Sequence, residues 1–273
     1  MSEKVAAHYT HGNLMADILA RLDEAGLDAE HLTVDDLAPL DHLHGRGRQA
    51  TEEMIDKLAP TPGMHVIDIG CGVGGPARFL AAKRGCRVTG VDLTAEFIAV
   101  ANELAARTGL TDVCTFRQAD ALALPFGDAT FDAGYTQNVS MSVPDKAKFF
   151  REAFRVLKPG AKFFAGEVAQ GPGGEVLYPV PWAMSAEISH LTAPEETRAI
   201  LEGAGFKALE MTDSHDAAMA YNRASRERIQ SEGMPVLTPL VILAERARER
   251  MQNSARNVEQ KRVIPVEFLC LKP

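Results

Sequence analysis

From Met64 onward the chain alternates two hydrophobic periodicities. The runs MHVIDI, CRVTGVDL, VCTFRQAD, TFDAGYT and AKFFAGEVA read as strands. Between them GGPARFLAAKRG, TAEFIAVANELAARTG and DKAKFFREAFRVLKPG carry apolar residues at i, i+3, i+4, as in the stripe Phe97, Val100, Ala101 and Leu104. Gly109 and Gly160 follow two of these helix runs, where a left-handed residue closes the last turn. Such alternation predicts an α/β fold with a parallel sheet and helices on both faces. The pattern resumes with a helix over Pro194–Gly203, a strand over 206–212, two more helices and a last strand in KRVIPVEFLCLKP.

Two segments break the alternation. Residues 1–60 read as helical, with amphipathic runs at 11–25 and Gly47–Leu58. Residues 169–192 are rich in glycine and proline and hold the only tryptophan, Trp182; a loop of that length in a compact domain is usually a functional cover or a flexible insertion. The expected organisation is a helical lid over residues 1–45, then a catalytic domain over 46–273 with an active-site cover at about 169–192.

Composition narrows the function. In 273 residues, 46% are hydrophobic and 24% charged, and the net charge of −8 comes with no long basic stretch, which argues against a nucleic-acid partner. No apolar run approaches the roughly 18 residues of a membrane span. MSEKVAAHYTHGN lacks a signal-peptide core, and Cys71, Cys86, Cys114 and Cys270 form no CxxC pair. The expectation is a cytoplasmic monomer or homodimer with buried free thiols, no bound metal and no membrane partner.

The chemistry starts at VIDIGCGVGGPARF, residues 66–79. Gly70, Gly72 and Gly75 fit G-x-G-x-x-G between a strand and a helix, where backbone N–H groups meet a ligand; alone, this pattern suits NAD equally. Asp68 discriminates, because a carboxylate two residues before the first glycine suits an amine at the turn better than a pyrophosphate. Asp92 ends the next strand, 22 residues beyond Gly70, where a carboxylate accepts from both ribose hydroxyls; the competing reading is a cap for the helix after it. Asp120 follows the third strand and can accept from an adenine amine. The three strand ends thus offer sites for an amino acid, a ribose and an adenine.

The ordered set VIDIGCGVGGPA, VTGVDL, QADALALPF, FDAGYTQN and FREAFRVLKPGAKFF resembles the class I S-adenosylmethionine-dependent methyltransferases over roughly residues 45–170. GCGVGGPARFLA is similar to the sterol, sarcosine/dimethylglycine and ubiquinone-biosynthesis members. The resemblance implies a Rossmann-like seven-stranded sheet of order 3-2-1-4-5-7-6, with strand 7 antiparallel and supplied by VIPVEFLCL, beneath an N-terminal helical lid. It implies S-adenosylmethionine as methyl donor, held by Tyr9, Asp68, Gly70, Gly72, Gly74, Asp92, Leu93, Asp120, Ala121 and Gln137.

Transfer of a methyl from a sulfonium is an in-line displacement that needs alignment and water exclusion more than a strong base. YTQNVSMSVPDK, after the fourth strand, is expected to border the reacting methyl through Gln137, Asn138 and Ser140. It differs from the N/D-PPY segment of amino-group DNA and glutamine methyltransferases. His11, Tyr178 and Trp182 are expected at the acceptor, and His42 and His44 in DHLHGRGR are candidate bases beside Gln137. The sequence points to a small-molecule nucleophile, through N, S, O or C, with a polar acceptor favoured. A sterol- or prenyl-like lipid acceptor, or a protein that binds the donor without turnover, stands as the alternative.

Overall fold

The computed structural model describes residues 2–10, 12–243 and 245–273. Strands β1 (His65–Ile69), β2 (Arg87–Asp92), β3 (Cys114–Gln118), β4 (Phe131–Gln137), β5 (Leu157–Gln170), β6 (Lys207–Asp213) and β7 (Val263–Leu271) form one sheet in the order β3-β2-β1-β4-β5-β7-β6. Strands β1 to β5 pair in parallel, and β7 runs antiparallel to β5 and β6. This is the expected topology. β1 lies between β2 and β4, so the chain changes direction across the sheet there, and the carboxyl ends of these strands open a crevice.

The helices are α1 (Ser2–Tyr9), α2 (Leu14–Glu24), α3 (Val34–Asp41), α4 (Gly47–Leu58), α5 (Gly75–Arg84), α6 (Ala95–Arg107), α7 (Lys146–Val156), α8 (Pro194–Gly203), α9 (His215–Glu232), α10 (Leu240–Leu243) and α11 (Ala247–Glu259). Several differ from expectation. The helix read through to Gly160 stops at Val156, because Pro159 holds Lys158 extended and Leu157 pairs with Phe131 of β4. Gly160, at φ +80°, therefore closes no helix; it lies inside β5, and its N–H bonds the Lys272 carbonyl. α3 lies within the stretch read as helical, and Thr33 and Asp36 form a reciprocal capping box at its start. Three helices, not two, separate β6 from β7.

Apolar residues cover both faces of the sheet. Leu80, Val88, Phe116, Tyr135 and Phe164 pack on one side; Ile67, Phe131, Phe149, Phe163 and Phe268 pack on the other. A third cluster docks the N-terminal helices: Leu14, Ile18, Leu22, Leu37 and Leu40 close against Phe97, Val100, Leu104 and Ile242. Each such side chain contributes about 1.5–3 kcal/mol on burial, enough to hold α2 and α3 as a packed layer. All four cysteines are free and buried, and among the described residues no helix is long and apolar enough to cross a membrane.

Candidate active site

The carboxyl ends of β1, β2 and β4 open into a cavity of about 1630 Å³. Pockets for a single drug-sized ligand run to roughly 300–1,000 Å³, so this one has room for two molecules.

One end is built by the glycine turn. Gly70, Gly72 and Gly74 all take left-handed conformations. A Cβ on Gly70 would stand 2.3 Å from Val139 Cγ2, whereas one on Gly72 would meet nothing within 4 Å and project into open space. Asp92 holds this turn: its Oδ2 accepts from Gly72 N–H at 2.9 Å, and its Oδ1 accepts from Thr94 N–H at 2.9 Å. Asp68 is buried beneath the turn and accepts from the Tyr135 hydroxyl at 2.9 Å. Burial pushes its carboxyl up to about 7, against the pull of that hydroxyl. Asp120 folds its own loop by accepting from Leu122 N–H at 2.8 Å, and with Leu93 and Ala121 it lines the cavity. Gln137 lines it too, with a buried Oε1 that has no hydrogen-bond partner. Tyr9 enters from α1, tilted on Phe97 at 5.6 Å between ring centroids, and burial pushes its phenol up to about 12 against a hydrogen bond with Ser142. The chain beyond Tyr9 is pinned by Glu96 of α6, which accepts from Gly12 and Leu14 N–H at 3.0 and 2.9 Å.

The other end centres on Glu167 of β5, a residue the sequence reading missed. Its signal was an acid within the apolar strand AKFFAGEVA. Gly166 pairs with Gln137 across β4 and β5, which sets Glu167 next to the end of β4. Glu167 is buried and lines the cavity; Oε1 is unpartnered, and Oε2 accepts from the Ser140 hydroxyl. Lys146 donates to the Ser140 carbonyl and lies 3.3 Å from its hydroxyl. Burial pushes Glu167 up to about 7, moderated by Lys146 and Ser140.

His42 and His44 line the cavity as a chain through Thr51, whose hydroxyl is 3.1 Å from His42 Nδ1 and 2.9 Å from His44 Nε2. His44 Nδ1 bonds the Gly45 carbonyl at 3.3 Å, so both its ring nitrogens are engaged. Burial pushes His42 down to about 3 and His44 down to about 4, with Arg48 and Arg46 respectively adding positive charge nearby. Both rings therefore stay neutral at physiological pH.

The structure sorts the remaining expectations. Asn138 lines the cavity at φ +57° and donates its N–H to Gly166. Trp182 lines it with its indole N–H on Ser189 at 2.9 Å. Ser140, expected at the acceptor, donates its hydroxyl to Glu167. Tyr178 packs with Trp182, Val180 and Val258 behind the cover instead of facing the cavity. Gly74 shapes the turn as the residue capping α5, close under Phe116. His11 lies outside the described residues.

The cavity extends well beyond the 169–192 segment, because α9 and the segments after it supply much of the wall. Tyr221, Ile229, Met234 and Met251 line it and are each more than a third exposed. Exposed apolar side chains gathered at one cavity mark a surface meant to be covered.

Residues 67–165 match a family described as "Methyltransferase domain". Over 184 residues the chain is 33% identical to Methyltransferase GfsG of Streptomyces halstedii, an alignment covering 65% of each protein, so the chain spans just under two-thirds of that relative's length. Among solved structures, geranyl diphosphate C-methyltransferase from Streptomyces coelicolor A3(2) superposes with a TM-score of 0.71 at 19% identity, over 100% of this chain and 98% of that one. Phosphoethanolamine N-methyltransferase 2 of Haemonchus contortus gives a TM-score of 0.71 at 22% identity, over 85% and 54%. At such identities the likeness is one of fold. The matched domain, the glycine turn and the three acidic strand ends lie together in one Rossmann-like fold. Residues 67–165 thus carry a methyltransferase domain, and the chain is similar to the class I S-adenosylmethionine-dependent methyltransferases.

Proposed function

We propose that this protein transfers a methyl group from S-adenosylmethionine to a proton-bearing nucleophile on an amphipathic, largely apolar small molecule. The observation that carries the reading is one cavity with two ends: Asp68, Asp92 and Asp120 around an open glycine turn, and a buried Glu167 with an unpartnered oxygen. The donor fits the first end. Gly72 leaves space where a side chain would sit, Gln137 offers an unpaired carbonyl oxygen, and the carboxylates suit an ammonium, a ribose and an adenine amine.

When bound, the donor supplies an electrophilic methyl on a sulfonium. The chain's own residues orient, dry and deprotonate. Asp92 keeps the turn in shape, while Tyr9 and the packed helices α2 and α3 exclude water. Residues 1–45 thus act as the cover of the donor end, with α1 as the part that opens, since α2 and α3 are fixed by their core contacts. Residues 169–192 cover the acceptor. As the nucleophile bonds the methyl and the methyl–sulfur bond breaks, its proton passes to Glu167 Oε1; the Ser140 hydroxyl, itself held by Lys146, donates to the other oxygen. His42 and His44 shape the wall without taking the proton.

The apolar walls favour the bulkier acceptor classes, prenyl- or sterol-like ones included, over the small polar nucleophile. The curated relatives include O-, N- and C-methyltransferases, so the methylated atom is left to the test. That test is a methyl-transfer screen of phenols, enols, prenyl compounds, amines and thiols, read by release of S-adenosylhomocysteine. Turnover is expected among the apolar hydroxyl or carbon nucleophiles. Calorimetric binding of NAD without binding of S-adenosylhomocysteine would sink the reading.

A further inference from the structure

Arg250 of α11 is 2% exposed, and its donors end on three separate segments. Nε donates to the Val180 carbonyl at 3.2 Å, and one Nη donates to the Leu243 carbonyl of α10 at 2.7 Å. The second Nη donates to the Pro181 carbonyl and lies 2.7 Å from His8 Nε2 in the last turn of α1. A guanidinium has no acceptor, so His8 Nε2 must be the unprotonated nitrogen of a neutral ring. The 3.2 Å approach of that nitrogen to the Pro181 carbonyl is then a contact between two acceptors, and Arg250 is what joins them.

The neighbours of these partners face the cavity. Tyr9 follows His8 and enters at the donor end; Trp182 follows Pro181 and lines the acceptor wall. The rest of α11 fastens the same cover independently: Asn253 donates to the Pro179 carbonyl at 3.1 Å, and Asn257 exchanges hydrogen bonds with Leu177 at 3.0 and 2.8 Å. Arg250, in addition, reaches α1 through His8.

We infer that Arg250 is a positioning residue that couples the two ends of the cavity, so that donor binding at Tyr9 orders the acceptor cover around Trp182. This rests on the reading that Tyr9 meets the donor. Coupling arises because ordering α1 around a ligand fixes His8, and His8 and Pro181 share one guanidinium; the second ligand then finds part of its ordering cost already met. The consequence is a donor-first order of binding. Arg250 acts through its neighbours and touches no reacting atom.

The test is hydrogen exchange with S-adenosylhomocysteine as probe, its affinity measured calorimetrically on the same proteins. In the unaltered chain the probe should slow exchange at least threefold both in residues 6–10 and in residues 177–184. His8→Ala and Arg250→Lys should bind the probe within about threefold of the unaltered affinity and keep the first protection, yet lose the second. Asn253→Ala should exchange faster at 177–184 with and without the probe while keeping the probe-induced ratio, which a merely structural role of Arg250 would not separate. If Arg250→Lys fails to fold, His8→Ala carries the test. Protection confined to residues 6–10 in the unaltered chain, or full protection of both segments in the variants, overturns the coupling. Binding of the probe with no protection of 6–10 overturns the Tyr9 reading and the coupling with it; absence of binding overturns the donor assignment itself.

Discussion

Arg78 of α5 reaches Asp41 of α3 at 2.6 Å with both side chains closed off from solvent. The same guanidinium donates to the Val73 carbonyl at 2.6 Å within the glycine turn. Helix α3 comes so near that a Cβ on Gly75 would stand 2.3 Å from both Asp41 Cβ and its carbonyl oxygen. The N-terminal layer and the donor turn are therefore one unit. Arg78→Met should cost about 3–5 kcal/mol, since it leaves a buried carboxylate unpaired. Urea unfolding measures this; a loss below about 1 kcal/mol means that Asp41 finds water instead.

The glycines of the turn should separate by the space around them. Gly70→Ala meets left-handed strain together with the Val139 clash, and should lose about 3 kcal/mol or more of stability. Gly72→Ala carries only the strain, about 1–3 kcal/mol, and its methyl enters the cavity. Thermal unfolding should rank the two in that order, while S-adenosylhomocysteine affinity should fall in both.

Asp92→Ala removes the carboxylate that holds Gly72 N–H and faces the donor end. The dissociation constant for S-adenosylhomocysteine should rise by about 1.5–3 kcal/mol, roughly 10- to 150-fold, the scale of hydrogen bonds to a charged group. A calorimetric titration indistinguishable from the unaltered protein removes Asp92 from the donor site.

Glu167 and Asp68 give two pH dependences. Their folded carboxyls sit near 7 because burial disfavours charge. Glu167 accepts a proton only when ionised, so kcat/KM should rise with pH through about 7 and then level off. Glu167→Gln should abolish that limb and lower the rate about 10²- to 10⁴-fold, with S-adenosylhomocysteine affinity kept. The stability contribution runs the other way. Both groups are raised above the unfolded values of about 4, so their contribution is full below pH 4 and is lost as pH rises through about 7. Urea midpoints of the ligand-free protein should therefore fall less between pH 5 and pH 8 in Asp68→Asn and Glu167→Gln than in the unaltered chain.

His42→Ala and His44→Ala should leave the limb near pH 7 in place, because neither ring titrates there. Each should instead cost about 1–3 kcal/mol by stranding Thr51 or the remaining histidine. Loss of the pH limb in either variant would reinstate a histidine as base.

The sequence by itself determined the alternating strands and helices and the glycine turn with acids at three strand ends, and its family resemblance implied the strand order. Strand and helix periodicities are local, and a glycine turn with Asp68, Asp92 and Asp120 at successive strand ends needs only chain order and parallel pairing to bring its parts together. Tertiary structure alone decided the acceptor end. Glu167 is desolvated because of what packs around it, and an isolated acid in an apolar strand gives no measure of that burial. His42 and His44 read as bases by residue type; only the fold shows the shared partner in Thr51 and the loss of water that lower their basicity. Arg250, Asn253 and Asn257 sit on one helix face at i, i+3 and i+7, yet nothing local says that the cover lies against that face. The distinction is physical: backbone periodicity is written within a few residues, whereas desolvation and hydrogen-bond closure depend on segments that meet only after folding, here 70 residues apart between Arg250 and Val180.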